Sequence, residues 1–140
     1  MTSKMIEELR AESYVNAVTY RRNGRAVATP LWFAVVDDRL YAFTDGTSAK
    51  VKRLRHTARV ALAACTAGGT PKGDWYAGEG GIVTDQDVER RAYEALRRKY
   101  GWQMKSLDLL SWLGGRIGRR VVLELQPGRR LSLDPREPSG

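Results

Sequence analysis

Cysteine, histidine and long apolar runs are nearly absent from this 140-residue chain, and each shortage removes a class of chemistry. Cys65 stands alone, so no intrachain disulfide can form, and a cytoplasmic setting is expected. His56 is the single histidine, which with one cysteine rules against a zinc site of the usual ligand types. No apolar run approaches the roughly 20 residues that span a bilayer, so no membrane partner is expected. The first residues, MTSKMIEELRAES, are charged and lack the apolar centre of a signal peptide. No GxSxG, HExxH, CxxC or Walker-type loop occurs. His56 lies among basic residues with no acid nearby to orient it, and reads as a surface histidine. Cys65 sits inside an apolar run and reads as a small buried hydrophobe. No catalytic residue is therefore expected, and an enzyme built on this chain needs a cofactor to carry the reaction.

Acid is scarce locally as well. Between Asp45 and Asp74 there is no carboxylate, while Lys50, Lys52, Arg53, Arg55, Arg59 and Lys72 fall there. A second acid-free stretch carries Arg97, Arg98, Lys99 and Lys105. The net charge of +8 calls for an anionic partner, either nucleic acid or a phosphorylated or polycarboxylate small molecule.

What is present reads as one domain of short strands. Residues 1–12 suggest a helix with Met5, Ile6 and Leu9 on its apolar side. Tyr14 to Tyr20 reads as a strand, and Asn23-Gly24 as a two-residue hairpin turn. RAVATPLWFAVV reads as one long strand, in which Pro30 marks an edge, a bulge or a break. RLYAFT follows the Asp37-Asp38 turn. RVALAACTA and DWYAGEGGIVT make the fourth and fifth strands. Thr84 is the expected cap of a helix that Gly101 closes. Residues 103–113 suggest a second short helix. RRVVLELQP is the last strand, so the domain is expected over 1–127 with a polar tail over 128–140. Six meandering strands with few helices favour a small antiparallel barrel over a doubly wound sheet.

The segment TDGTSAKVKRLR, residues 44–55, concentrates the cations. A strand ending at Thr44 and a helix capped by Ser48 would aim first-turn N–H groups, with Lys50, at whatever lies beside the strand end. Val51 and Leu54 would face the core, and Arg53 would lie one turn on from Lys50. Lys52 has the weakest claim. A helix terminus with Lys50 suits a phosphate, and a plain basic surface helix fits the same pattern.

GRAVATPLWFAVVDDRLYAFTDGTSAKVKRLRHTARVALAAC resembles the flavin-reductase-like split-barrel superfamily that includes the pyridoxamine 5'-phosphate oxidases. It is most similar to the branch of F420-dependent (deazaflavin) oxidoreductases, labelled B-type. The T-P-x-W-F block, the T-x-x-x-S-x-K block and the K-V-K-R-L-R run carry the resemblance together. It implies a six-stranded antiparallel split β-barrel of mainly β, α+β class, forming a homodimer with cofactor grooves between subunits. Thr29, Pro30, Leu31 and Trp32 would lie alongside the deazaflavin ring. Thr44 would mark the strand end, and Ser48, Ala49 and Lys50 the phosphate-binding turn. Arg53 and Arg55 would hold the phosphate or the anionic glutamyl tail. The implied reaction is hydride transfer between reduced F420 and a small organic substrate, whose pocket wall would come from the other subunit and residues 101–118. Thr29 stands where pyridoxamine phosphate oxidases use an arginine on the flavin phosphate, which argues against FMN and against pyridoxamine oxidation. Their C-terminal Trp and Arg substrate segment has no counterpart in LSLDPREPSG. An FMN-dependent split barrel and a non-enzymatic module for a cofactor or nucleic acid are the alternatives.

Overall fold

A computed structural model describes residues 3–101, 103–106 and 120–136. The elements run α1 (Ser3–Arg10), β1 (Tyr14–Tyr20), β2 (Ala26–Trp32), β3 (Ala34–Val36), β4 (Arg39–Asp45), α2 (Ala49–His56), β5 (Arg59–Cys65), β6 (Tyr76–Ile82), α3 (Gln86–Tyr100) and β7 (Arg120–Arg130). All strand pairs are antiparallel, in the order β2-β1-β5-β6-β7-β4-β3. The sheet curls into a split barrel.

Alternation along the strands sends one set of side chains inward. Val15, Leu62, Val60, Leu40, Leu123 and Leu125 meet Met5, Ile6 and Leu9 of α1 and Val51 and Leu54 of α2 in the main core. Each such side chain contributes about 1.5–3 kcal/mol by leaving water. The helix α3 covers the outer face of β3, β4 and β7, its Leu96, Tyr100 and Ala92 sharing clusters with Ala34, Tyr41 and Val122 of those strands. On the outer face of β1 and β5, Val18, Tyr20, Ala61 and Ala63 pack with Trp75 and Leu131.

There are seven strands rather than six, because RAVATPLWFAVV is not continuous. Phe33 leaves the ladder: its N–H donates to the Tyr100 hydroxyl at 3.0 Å. Pro30 does not make this break. It sits within β2, an edge strand, opposite Asn16, where the lack of an N–H is tolerated. The β1–β2 loop also differs from expectation. It spans Arg22, Asn23 and Gly24, of which only Gly24 takes positive φ (85°), and it is closed by Arg21 N–H to Arg25 carbonyl and Gly24 N–H to Arg21 carbonyl. The two-residue turn with both φ positive occurs instead at Asp37 and Asp38, between β3 and β4.

The cap of α3 is Asp85, not Thr84: its carboxylate accepts from the N–H groups of Asp87 (2.8 Å) and Val88 (3.3 Å). An ionised oxygen one residue later wins over the hydroxyl. Gly101 does close that helix, at φ 58°, its N–H reaching Arg97. Residues 103–106 are helical, and the rest of the expected 103–113 helix lies outside the described residues. The last strand continues past Pro127 to Arg130.

Two glycines of β6 permit close approaches. A Cβ on Gly78 would lie 2.4 Å from the Gln126 carbonyl oxygen of β7, at the register shift of β6. A Cβ on Gly80 would lie 2.9 Å from Val60 Cγ1 and 3.3 Å from Leu54 Cδ2 of α2.

Candidate functional site

The local sequence of α2 sets the site. Ser48 is the N-cap, extended at φ −67° and ψ 157°, and its hydroxyl accepts from the Val51 N–H at 3.4 Å. The Asp45 carboxylate accepts from the Thr47 N–H at 2.8 Å, shaping the turn that leads in from β4. Val51 and Leu54 are buried, as helical spacing predicts, and hold α2 against the barrel. The first-turn N–H groups of Ala49 and Lys50 are left at the open end of the helix. Ala49 is exposed, while Ser48, Lys50 and Thr44 are half-buried.

Burial, with Arg53 second, pulls the Lys50 pKa down. Arg53 is anchored: its Nε donates to the Thr19 hydroxyl at 2.6 Å. Burial, then Arg21, lowers the Arg53 pKa as well. Crowded cations thus disfavour one another's charge. Among the described residues, none of Arg21, Arg22, Lys50, Lys52, Arg53 and Arg55 has a carboxylate within salt-bridge distance.

From Arg53 a groove of about 450 Å³ opens between α2 and the β1–β2 loop, lined by Tyr20, Arg21, Arg22, Lys52, Arg53, Arg55 and His56. Tyr20 has one ring face covered, by the Arg59 guanidinium at 4.1 Å. Lys52, Arg53 and Arg55 therefore share one groove, and Ser48, Ala49 and Lys50 lie at the other end of the helix. Sequence reasoning passed over Arg21 and Arg22. The signal was present in YRRNGR, yet only the packing of α2 on β1 joins it to the second basic run.

The β2 segment divides by alternation. Thr29 and Leu31 lie opposite Ala17 and Val15, on the inward face that also carries Thr19 and its bond to Arg53. Pro30 and Trp32 lie on the outward face, opposite Asn16 and Tyr14. Trp32 stacks on Tyr100 of α3 with ring centroids 4.6 Å apart and planes 11° from parallel. Beneath Pro30, Asn16 is buried, its Nδ2 donating to the Gly69 carbonyl at 2.8 Å. Residues 102 and 107–118 of the expected pocket wall lie outside the described residues. Among the described residues no cluster of three or more His, Cys, Asp or Glu side chains is placed to hold a metal, and no helix is long and apolar enough to cross a membrane.

Residues 1–133 match the family described as pyridoxamine 5'-phosphate oxidase. No curated protein matches the sequence. Among solved structures, the conserved hypothetical protein Rv2991 of Mycobacterium tuberculosis is similar at TM-score 0.69 and 20% identity, over 96% of this chain and 84% of that one. The heme storage protein HutZ of Vibrio cholerae is similar at TM-score 0.67 and 12% identity, over 91% of each chain. An F420 reductase is similar at TM-score 0.59 and 16% identity, over 91% of this chain and 96% of that one. At these identities the likeness is one of fold.

Proposed function

The chain belongs to the pyridoxamine 5'-phosphate oxidase family, and from that premise we propose that it is a deazaflavin (F420)-dependent oxidoreductase acting on a small organic acceptor. One observation carries the reading: the uncompensated cations run in sequence from Lys50 at the start of α2, through Arg53, into the groove of Arg21, Arg22, Lys52 and Arg55. A ligand with one phosphate needs only the first part of that lane. A phosphate followed by several carboxylates uses all of it. The donor set fits such a cofactor, and the likeness to an F420 reductase supports the same choice.

The bound cofactor supplies the hydride, and the chain's residues bind and orient. Ser48, Ala49 and Lys50, in the turn and helix that follow β4, which runs one residue past Thr44 to Asp45, receive the phosphate on helix N–H groups and one ammonium. Arg53, with its Nε held by Thr19, presents its remaining N–H groups to the same anion or the next. Arg55, Lys52, Arg21 and Arg22 follow the tail, each contributing about 0.5–1 kcal/mol in a solvated groove, so that several are needed. Thr29, Pro30, Leu31 and Trp32 form the edge against which the ring lies. Among the described residues no strand pairs on the far side of β2, and a homodimer in the cytoplasm, with the cofactor between subunits, completes the reading.

Titration of the purified protein with F420 and, separately, with FMN tests it. F420 is expected to bind with Kd in the micromolar range or better, about −8 kcal/mol, and more tightly than FMN. Tighter FMN binding, a protein that purifies yellow, or affinity for nucleic acid falling steeply with salt would each replace the reading.

A further inference from the structure

We propose that Tyr100 is a positioning residue for the cofactor edge: its hydroxyl latches the break at Phe33 while its ring fixes Trp32. The inference rests on the reading above, since it names what holds that edge in place. β2 and β3 are consecutive in the chain yet lie at opposite edges of the sheet, so the chain crosses the seam of the barrel at Phe33. Phe33 is fully buried there, and neither strand's ladder is available to its peptide groups. One side chain from α3 fills both needs. The Tyr100 hydroxyl accepts from the Phe33 N–H at 3.0 Å and lies 2.9 Å from the Phe33 carbonyl oxygen. It also lies 2.7 Å from the carbonyl oxygen of Ser13, just before β1. The phenol has one proton, which it donates to one or other of these carbonyls.

The hydroxyl therefore ties three segments: the entry to β1, on which β2 is paired; the exit from β2; and the end of α3. The ring of the same residue covers one face of Trp32. Burial pushes the phenol up to about 12, so the donor persists across the neutral range. Sixty-seven residues separate Tyr100 from Phe33, so the contact cannot arise from local propensity. Nothing in the hydroxyl's surroundings brings it to a reacting atom, and its effect on binding passes through β2.

Tyr100→Phe keeps the ring and its stack and removes only the hydroxyl. With protein shown folded by circular dichroism at the assay temperature, the F420 Kd is expected to rise about 10-fold, with the Trp emission shifted. Val88→Ala, on the same helix in a different cluster, is the control: it lowers Tm and should leave Kd within about 2-fold. If Tyr100→Phe lowers Tm but binds F420 as the unaltered chain does, the latch is only structural and the proposal falls alone. If the unaltered chain binds no F420, the functional reading falls and the positioning role with it. Should the variant not fold, hydrogen exchange decides the matter. The Phe33 amide of the unaltered protein is expected to exchange at least 10-fold more slowly with F420 bound, and an unchanged rate overturns the proposal.

Discussion

Replacing Lys50 with methionine should move binding and stability in opposite directions. The ammonium is half-buried, is repelled by the Arg53 charge, and stands in the first turn of α2, where the helix dipole is positive. All three disfavour its charge in the unliganded protein. The dipole contribution alone is about 0.3–1 kcal/mol, so Lys50→Met should raise Tm by about 1–4 °C. On the proposed function the same charge would meet the cofactor phosphate. Losing a charge-assisted contact costs about 1–3 kcal/mol, a rise in Kd of about 5- to 150-fold. Titration by cofactor fluorescence measures the second effect and a thermal melt the first. Raising salt should weaken the unaltered protein's binding more than the variant's, because one fewer cation is screened. An unchanged Kd would remove the phosphate-clamp argument, and a lower Tm would show that Lys50 has a partner the charge pattern does not reveal.

Three further outcomes follow from the geometry. Gly78→Ala forces a Cβ to within 2.4 Å of a β7 carbonyl oxygen, where backbone must move, and should cost about 1–3 kcal/mol or more in urea unfolding; Gly81→Ala, with nothing within 4 Å, should be near neutral, and equal midpoints would refute the packing argument. Asp85→Ala should destabilise by about 1 kcal/mol through loss of the α3 cap, against a few tenths for Thr84→Ala; the reverse order would return the cap to Thr84. Lys99, whose ammonium sits 3.7 Å above the Phe33 ring, has its pKa lowered by burial from 10.5 to about 8. Between those values the folded chain binds fewer protons than the unfolded one at this site, so its contribution to stability grows as pH rises from about 8. Tyr41 and Tyr100, raised to about 12, oppose this only above about 10, where the unfolded phenols ionise first. The stability difference between Lys99→Met and the unaltered chain should therefore shift in favour of the latter from pH 7.5 to 9.5, and a flat difference would refute the desolvation of the ammonium tip against the Phe33 ring, the rest of the Lys99 side chain being exposed.

The features legible in the sequence are those fixed by near neighbours. Tyr14–Tyr20 keeps the bounds that its composition suggests, and Ser48, Val51 and Leu54 do what a cap and a helical period require. The family resemblance gave the antiparallel split barrel. The break at Phe33 was not legible. Pro30 drew attention as the irregular residue, while the actual interruption depends on a hydroxyl supplied by α3. The groove was half legible: residues 50–55 announce a charge cluster, but Arg21 and Arg22 join it only through the packing of α2 over β1. The Asp85 cap was missed by one residue because hydroxyl and carboxylate caps compete at adjacent positions, and sequence spacing alone does not separate them.

The missing side chain at Gly80 bears on how the helix of the groove is seated. A Cβ at that bare position on β6 would press on Val60 and Leu125 first and on Leu54 of α2 third, so the strand leaves room for the side chains that seat the helix. A methyl group there would have to be absorbed by those three side chains, two of which belong to the barrel and one to the helix that carries Lys50, Lys52, Arg53 and Arg55. The packing beneath the basic helix therefore depends on a residue that carries no charge and no side chain at all.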